Sequence, residues 1–155
     1  EIWMKGRTHL HYEGLDEEVR AGFYSDDGYF RTGDVMRRRA DGRYEFVTRV
    51  KDLIKVGGEN VAAAEIERVL KDHPSVFNVQ VVPLVDDRRG EVPAAFVELV
   101  PGAPTLELDE LRAWALARMA PFKVPRRLRI MTASEWPRTS TAKIARFKLP
   151  ELLEA

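Results

Sequence analysis

The sequence predicts an α+β protein: a small mixed sheet with helices packed on it over residues 51–155, preceded by a β-rich stretch over 1–50. Three observations carry this. The first fifty residues are short apolar runs separated by Asp and Gly turn clusters, the pattern of hairpins. After Gly57-Gly58 the apolar period changes from two to nearly four, which marks the entry to a helix. The later β-branched runs are not joined as parallel βαβ units, and no Gly-rich phosphate loop follows a strand.

In chain order, Ser25-Asp26-Asp27-Gly28 and Asp41-Gly42 are turn sequences, because Asp bonds to nearby backbone and Gly tolerates positive φ. The segment Tyr44-Glu45-Phe46-Val47-Thr48 alternates as a strand, with Asp34-Val35-Met36-Arg37-Arg38 as its partner. Asp52-Leu53-Ile54-Lys55-Val56 before Gly57-Gly58 suggests a second strand pair. Residues 61–71 then form a helix whose Ile66, Val69 and Leu70 share one stripe, stopped by Asp72-His73-Pro74. Residues 76–85 and 92–100 are β-branched strands joined by the polar loop Asp86-Asp87-Arg88-Arg89-Gly90, hence antiparallel neighbours. Pro101-Gly102-Ala103-Pro104 breaks the chain before a second helix over 108–119, with Leu108, Leu111, Ala115 and Met119 on one face. A strand over 128–131 and a short closing helix complete the chain, and both long helices are expected on one side of the sheet.

Composition excludes several function classes. A hydrophobic fraction of 45% supports a packed core. Lys+Arg and Asp+Glu total 25 each, so no global field recruits nucleic acid, and a basic patch must be local. The absence of cysteine excludes disulfides, thiolate metal sites and a cysteine nucleophile, and favours a reducing compartment; the expectation is cytoplasmic. No run of about 18 apolar residues is present to span a bilayer as a helix. The start at Glu1, abrupt and without a leader, reads as a cut within a longer chain.

Three clusters bear chemistry. In Gly28-Tyr29-Phe30-Arg31-Thr32-Gly33-Asp34 the aspartate is a turn residue, or a rigidly held carboxylate whose two oxygens accept both hydroxyls of a ribose. The stretch 48–60 is a charged hairpin, or one in which Arg49 donates to a ribose or phosphate and Gly57-Gly58 lets a slender ligand approach the backbone. The third, Pro137-Arg138-Thr139-Ser140-Thr141-Ala142-Lys143, lies in a one-signed tract. From 122 to 148 the bases Lys123, Arg126, Arg127, Arg129, Arg138, Lys143, Arg146 and Lys148 face the lone acid Glu135, which suits a phosphate-bearing ligand, a solvated face or a seat for an acidic partner surface.

Taken in order, these clusters resemble the adenylate-forming superfamily of acyl-CoA and aryl-CoA synthetases, luciferases and peptide-synthetase adenylation domains. The likeness rests on Phe30 to Asp34, Thr48 to Asp52, Gly57 to Asn60, Glu65-Ile66-Glu67, Lys123-Val124-Pro125 and Pro137 to Lys143. It implies that residues 1–50 are the end of the large AMP-binding domain and 51–155 the mobile C-terminal lid. It further implies that Asp34 binds the ATP ribose, Arg49 contacts ribose or phosphates, and Lys51 is the hinge. Lys55, Gly57 and Gly58 would meet the CoA pantetheine arm, and Lys143 would bridge the acyl carboxylate and the α-phosphate. A mobile point charge suits the charge that builds as carboxylate attacks phosphorus. The implied reaction is acid activation by ATP, with Mg2+ held mainly by the larger domain, then thioester formation with CoA, as in fatty acid metabolism. The fragment is expected to be inactive alone and to partner its own N-terminal domain.

Two departures stand out: Thr48 occupies a usual glycine position, and so does Ala142. If the last loop needs a positive φ, alanine puts the placement of Lys143 in question. Two alternatives therefore stand beside the synthetase reading: an adenylation domain loading a carrier-protein phosphopantetheine, and a non-catalytic interaction module that kept the fold.

Overall fold

In the computed structural model, which describes residues 1–6, 16 and 21–154, the chain divides into two units, Glu1–Lys51 and Asp52–Ala155. Most of the opening stretch expected to end a larger domain lies outside the described residues. In the first unit, β1 (Trp3–Met4) pairs antiparallel with β2 (Phe30–Arg31), and β3 (Asp34–Arg38) with β4 (Tyr44–Arg49). Both expected turns form: Gly28 N–H donates to Ser25 O at 2.9 Å and Gly42 N–H to Arg39 O at 3.0 Å. The β3–β4 register sets Asp34 opposite Arg49 and Val35 opposite the buried Thr48, with an irregularity between Val35 and Met36.

The second unit is a five-stranded mixed sheet. β5 (Leu53–Val56), β6 (Glu59–Ala62), β7 (Val76–Asp86) and β8 (Gly90–Leu99) run in the order β6-β5-β8-β7, all antiparallel, and β9 (Arg127–Met131) lies parallel to β8. Gly90 pairs with Asp86 and Val56, and Ala94 with Val82 and Arg127, so β5 and β9 share the edge of β8 that faces away from β7. The helices are α1 (Ala63–Lys71), α2 (Leu108–Leu116) and the short α3 (Glu151–Glu154).

The first helix begins two residues later than its apolar period implies, because Val61 and Ala62 pair with Ile54 and Leu53 in the β5–β6 hairpin. Its stripe is otherwise as expected, with Ile66 and Leu70 fully buried. The second helix stops at Leu116, and Met119 still packs on the core beyond it.

Alternation in the central strand divides the core in two. Ala95 and Val97 of β8 join Ile66, Leu70, Leu111 and Ala115 under α1 and α2, while Ala94 and Phe96 point to the opposite face. There the C-terminal stretch covers the sheet through Trp136, Ile144, Leu149, Leu152 and Leu153, anchored by Trp136 Nε1–H to Glu98 at 2.7 Å. The two long helices do lie on one side, but the other side is covered too, by the segment from Trp136 that ends in α3. Pro83 and Pro93 sit directly opposite one another in β7 and β8. The Pro93 carbonyl accepts from Arg126 on the β9 side, so neither ring nitrogen falls in the β7–β8 hydrogen-bond ladder. No helix among the described residues is long and apolar enough to cross a membrane.

Candidate functional site

The predicted site residues fall on three local constructions, which the hydrogen bonds of each unit define. In the first unit Asp34 enters β3 from a turn pinned on several sides. Gly33 has φ 72°, its carbonyl accepts from Val50 N–H at 2.8 Å, and Thr32 Oγ1 accepts from Asp34 N–H at 3.0 Å. The Asp34 carboxylate is thereby held beside Arg49, whose Nε lies 3.0 Å from Oδ1. That contact has the distance of an ion pair without hydrogen-bond alignment, and Oδ1, shielded from solvent, accepts no hydrogen bond. The turn thus fixes a partly exposed carboxylate and a guanidinium side by side, a pair of opposite charges suited to a polar ligand.

The second construction is the β5–β6 hairpin. Val56 pairs with Glu59, leaving Gly57 and Gly58 as a two-residue loop with φ 57° and 90°. Such a loop needs positive φ at both positions, and a Cβ on either glycine would meet nothing within 4 Å. Turn conformation therefore accounts for both glycines, without any close approach by a neighbour. The hairpin is tied to the β7–β8 turn by Gly57 N–H to Arg89 O at 2.8 Å and Lys55 N–H to Glu91 at 2.7 Å. Lys51 lies in a 3-10 turn, Val50–Asp52, and the division between the units falls just after it.

The third construction carries Lys143. Pro137 to Ala145 form a closed loop: Ala145 N–H donates to Pro137 O at 2.7 Å, Thr139 N–H to Lys143 O at 2.8 Å and Ala142 N–H to Thr139 O at 2.9 Å. The Arg138 guanidinium donates to the Ala142 carbonyl at 2.9 Å. Ala142 has φ 61°, the one positive-φ non-glycine residue among those described. The loop does require the left-handed conformation, and alanine adopts it at a cost of about 1–2 kcal/mol. Lys143 is exposed, and its ammonium has no hydrogen bond or ion pair among the described residues.

The basic tract around this loop is largely structural. Lys123 pairs with Glu65 at 2.6 Å, Arg129 donates to Leu152 O, and Arg146 bonds Glu67 at 2.8 Å and Val81 O at 2.6 Å. Glu67 also accepts from Val81 N–H at 2.8 Å, so one carboxylate joins α1, β7 and the segment beyond Lys143. Burial raises the Glu67 carboxyl above its ordinary value, against the opposing pull of Arg146 and the Val81 N–H. Lys123, Arg129 and Arg146 are thus engaged by carboxylates and carbonyls, whereas the Lys143 ammonium has no such partner among the described residues. Glu67 and Arg138 lie within the motifs that carry the resemblance, and their structural roles come from these long-range and cross-loop bonds. No group of three or more His, Cys, Asp or Glu among the described residues is placed to hold a metal.

Comparison with known proteins decides the family. The model of the AMP-binding enzyme C-terminal domain matches residues 65–143, ending on Lys143. The chain belongs to this family. An AMP-binding enzyme C-terminal domain is accordingly what α1, the central sheet and the lysine loop make up. The chain is 40% identical over 128 residues to the mitochondrial medium-chain acyl-CoA ligase of Pongo abelii, covering 83% of this chain and 20% of that one. It is similar to the ATP-bound MatB structure from Rhodopseudomonas palustris, with a TM-score of 0.77 and 28% identity over 88% of this chain and 27% of that one. It is also similar to the o-succinylbenzoate CoA synthetase of Bacillus subtilis in complex with its acyl-adenylate. There the TM-score is 0.72 at 30% identity, over 86% of this chain and 26% of the other. The chain thus spans a fifth to about a quarter of these proteins.

Proposed function

We propose that this chain is the C-terminal part of an ATP-dependent acyl-CoA synthetase, which joins a carboxylic acid to AMP with loss of pyrophosphate and then transfers the acyl group to the CoA thiol. The observation that carries this reading is the exposed, unpaired Lys143 on a closed loop, at the end of the family match. An ammonium held in that way can move as a unit with its loop toward a carboxylate and the α-phosphate it attacks. There it offsets negative charge that grows in the transition state. The Asp34 carboxylate, held on its turn beside Arg49, accepts the ribose hydroxyls, and Arg49 contacts the ribose or phosphates. Magnesium arrives with ATP and is held by the larger domain. In this reading the 155 residues do not catalyse the reaction alone, and their principal partner is their own N-terminal domain.

Lys51 is the hinge in this proposal, supported by its position at the boundary between the two units. Lys55, Gly57 and Gly58 present an exposed hairpin tip to the CoA arm in the second half-reaction. The complete protein should catalyse acid-dependent pyrophosphate exchange with at least one of octanoate and o-succinylbenzoate, acids of the kinds its similar ligases are named for. Lys143→Ala should lower that exchange about 100-fold or more. Unchanged exchange in the variant removes Lys143 from the chemistry. Lys51→Pro, by fixing φ, should slow thioester formation more than adenylation. Equal losses in the two half-reactions would defeat the hinge assignment.

A further inference from the structure

Arg138 attracts attention because its bond ends on one particular carbonyl. The Ala142 oxygen belongs to the peptide unit whose nitrogen is that of Lys143, and a peptide unit is planar. Fixing that oxygen fixes the plane from which the Lys143 side chain departs. Ala142 stands at φ 61°, where an L-residue is disfavoured, and the relaxed alternative at negative φ would rotate the same plane. The three backbone bonds that close the loop would form equally well with glycine at 142. The bond from Arg138 Nη1 to the Ala142 oxygen is the side-chain contribution that opposes the rotation directly.

We propose that Arg138 is a positioning residue for Lys143, its bond to the Ala142 carbonyl holding a left-handed turn that alanine by itself disfavours. This rests on the role given to Lys143 above. The two opposing effects are of similar size. A hydrogen bond of this kind shifts an equilibrium about threefold to tenfold, and the preference of alanine against the left-handed region is of the same order. Arg138 and Ala142 therefore form an interdependent pair: the arginine matters because residue 142 is not glycine.

The test is a double-mutant cycle in the complete protein, comparing wild type, Arg138→Met, Ala142→Gly and Arg138→Met with Ala142→Gly. The first readout is amide hydrogen exchange over residues 137–145, where the Thr139 and Ala142 amides report loop closure. Arg138→Met should reduce protection there about threefold to tenfold, and adding Ala142→Gly should restore it. Unchanged protection in Arg138→Met, or a double variant as exposed as the single one, overturns the proposal. The second readout is pyrophosphate exchange with octanoate and o-succinylbenzoate. A positioning role lowers kcat, leaves KM for ATP unchanged and is rescued by glycine. A direct contact of Arg138 with ATP raises KM and is not rescued, which also overturns the proposal. Lys143→Ala run in parallel separates the two readings. If it retains exchange, the role of Lys143 fails while the loop-closure result stands; if it abolishes exchange and Arg138→Met does not lower it, positioning fails alone.

Discussion

Two turns in the second unit solve the same conformational problem by different means. The β5–β6 loop places glycine at both positive-φ positions, where no side chain opposes the required backbone. The loop before Lys143 places alanine at φ 61° and holds it with three backbone bonds and a guanidinium. One turn is shaped by what its residues lack, the other by what surrounds a residue that resists. The difference teaches that a positive φ need not be given to glycine if the neighbourhood supplies enough constraint, and that such a position then depends on its neighbours.

Replacing both glycines, Gly57→Ala with Gly58→Ala, is the strongest way to break the contrast. Each new Cβ meets open space, so the cost is backbone strain of roughly 1–2 kcal/mol per site, reduced by about 0.4–1 kcal/mol of unfolded-state entropy. A net loss of about 1–2 kcal/mol for the pair should appear in urea denaturation of the chain. A neutral double variant would mean that the hairpin relaxes to another turn. The reverse change, Ala142→Gly, carries the same two terms with opposite sign. It should stabilise by about half as much, roughly 0.5–1 kcal/mol. Destabilisation there would show that the Ala142 methyl group contributes contacts that outweigh its strain.

Legibility in the sequence followed the range of the interactions involved. Hairpins and helices were readable because Asp-Gly turns and apolar periods are local signals. The start of α1 was misplaced since Val61 and Ala62 satisfy both a strand pattern and a helix stripe, and only pairing with Ile54 and Leu53 decides between them. The covered second face was not readable as one element, because Leu149, Leu152 and Leu153 have helical spacing but Trp136 and Ile144 join no apolar period. The basic tract shows the same limit: the carboxylates that engage Lys123 and Arg146 are Glu65 and Glu67, 58 and 79 positions away, beyond a local charge count. At the candidate site, the sequence could pose the question of residue 142 only as a conditional, from alanine standing before a lysine. The φ of that residue answers it, and the guanidinium that engages its carbonyl comes from within the same motif.

The facing prolines of β7 and β8 have a consequence for how faithfully the chain can fold. In the native pairing both ring nitrogens point away from the shared ladder, so no donor is missing from it. Sliding either strand by one residue would turn one proline inward, leaving a carbonyl opposite a nitrogen that has no hydrogen to give. Were β8 the strand to slide, its two faces would also exchange, driving Phe96 toward the helices and Val97 away from them. Two residues that weaken an ordinary strand thus act together as a safeguard, making the nearest misaligned sheet an unprofitable alternative before the core has closed over it.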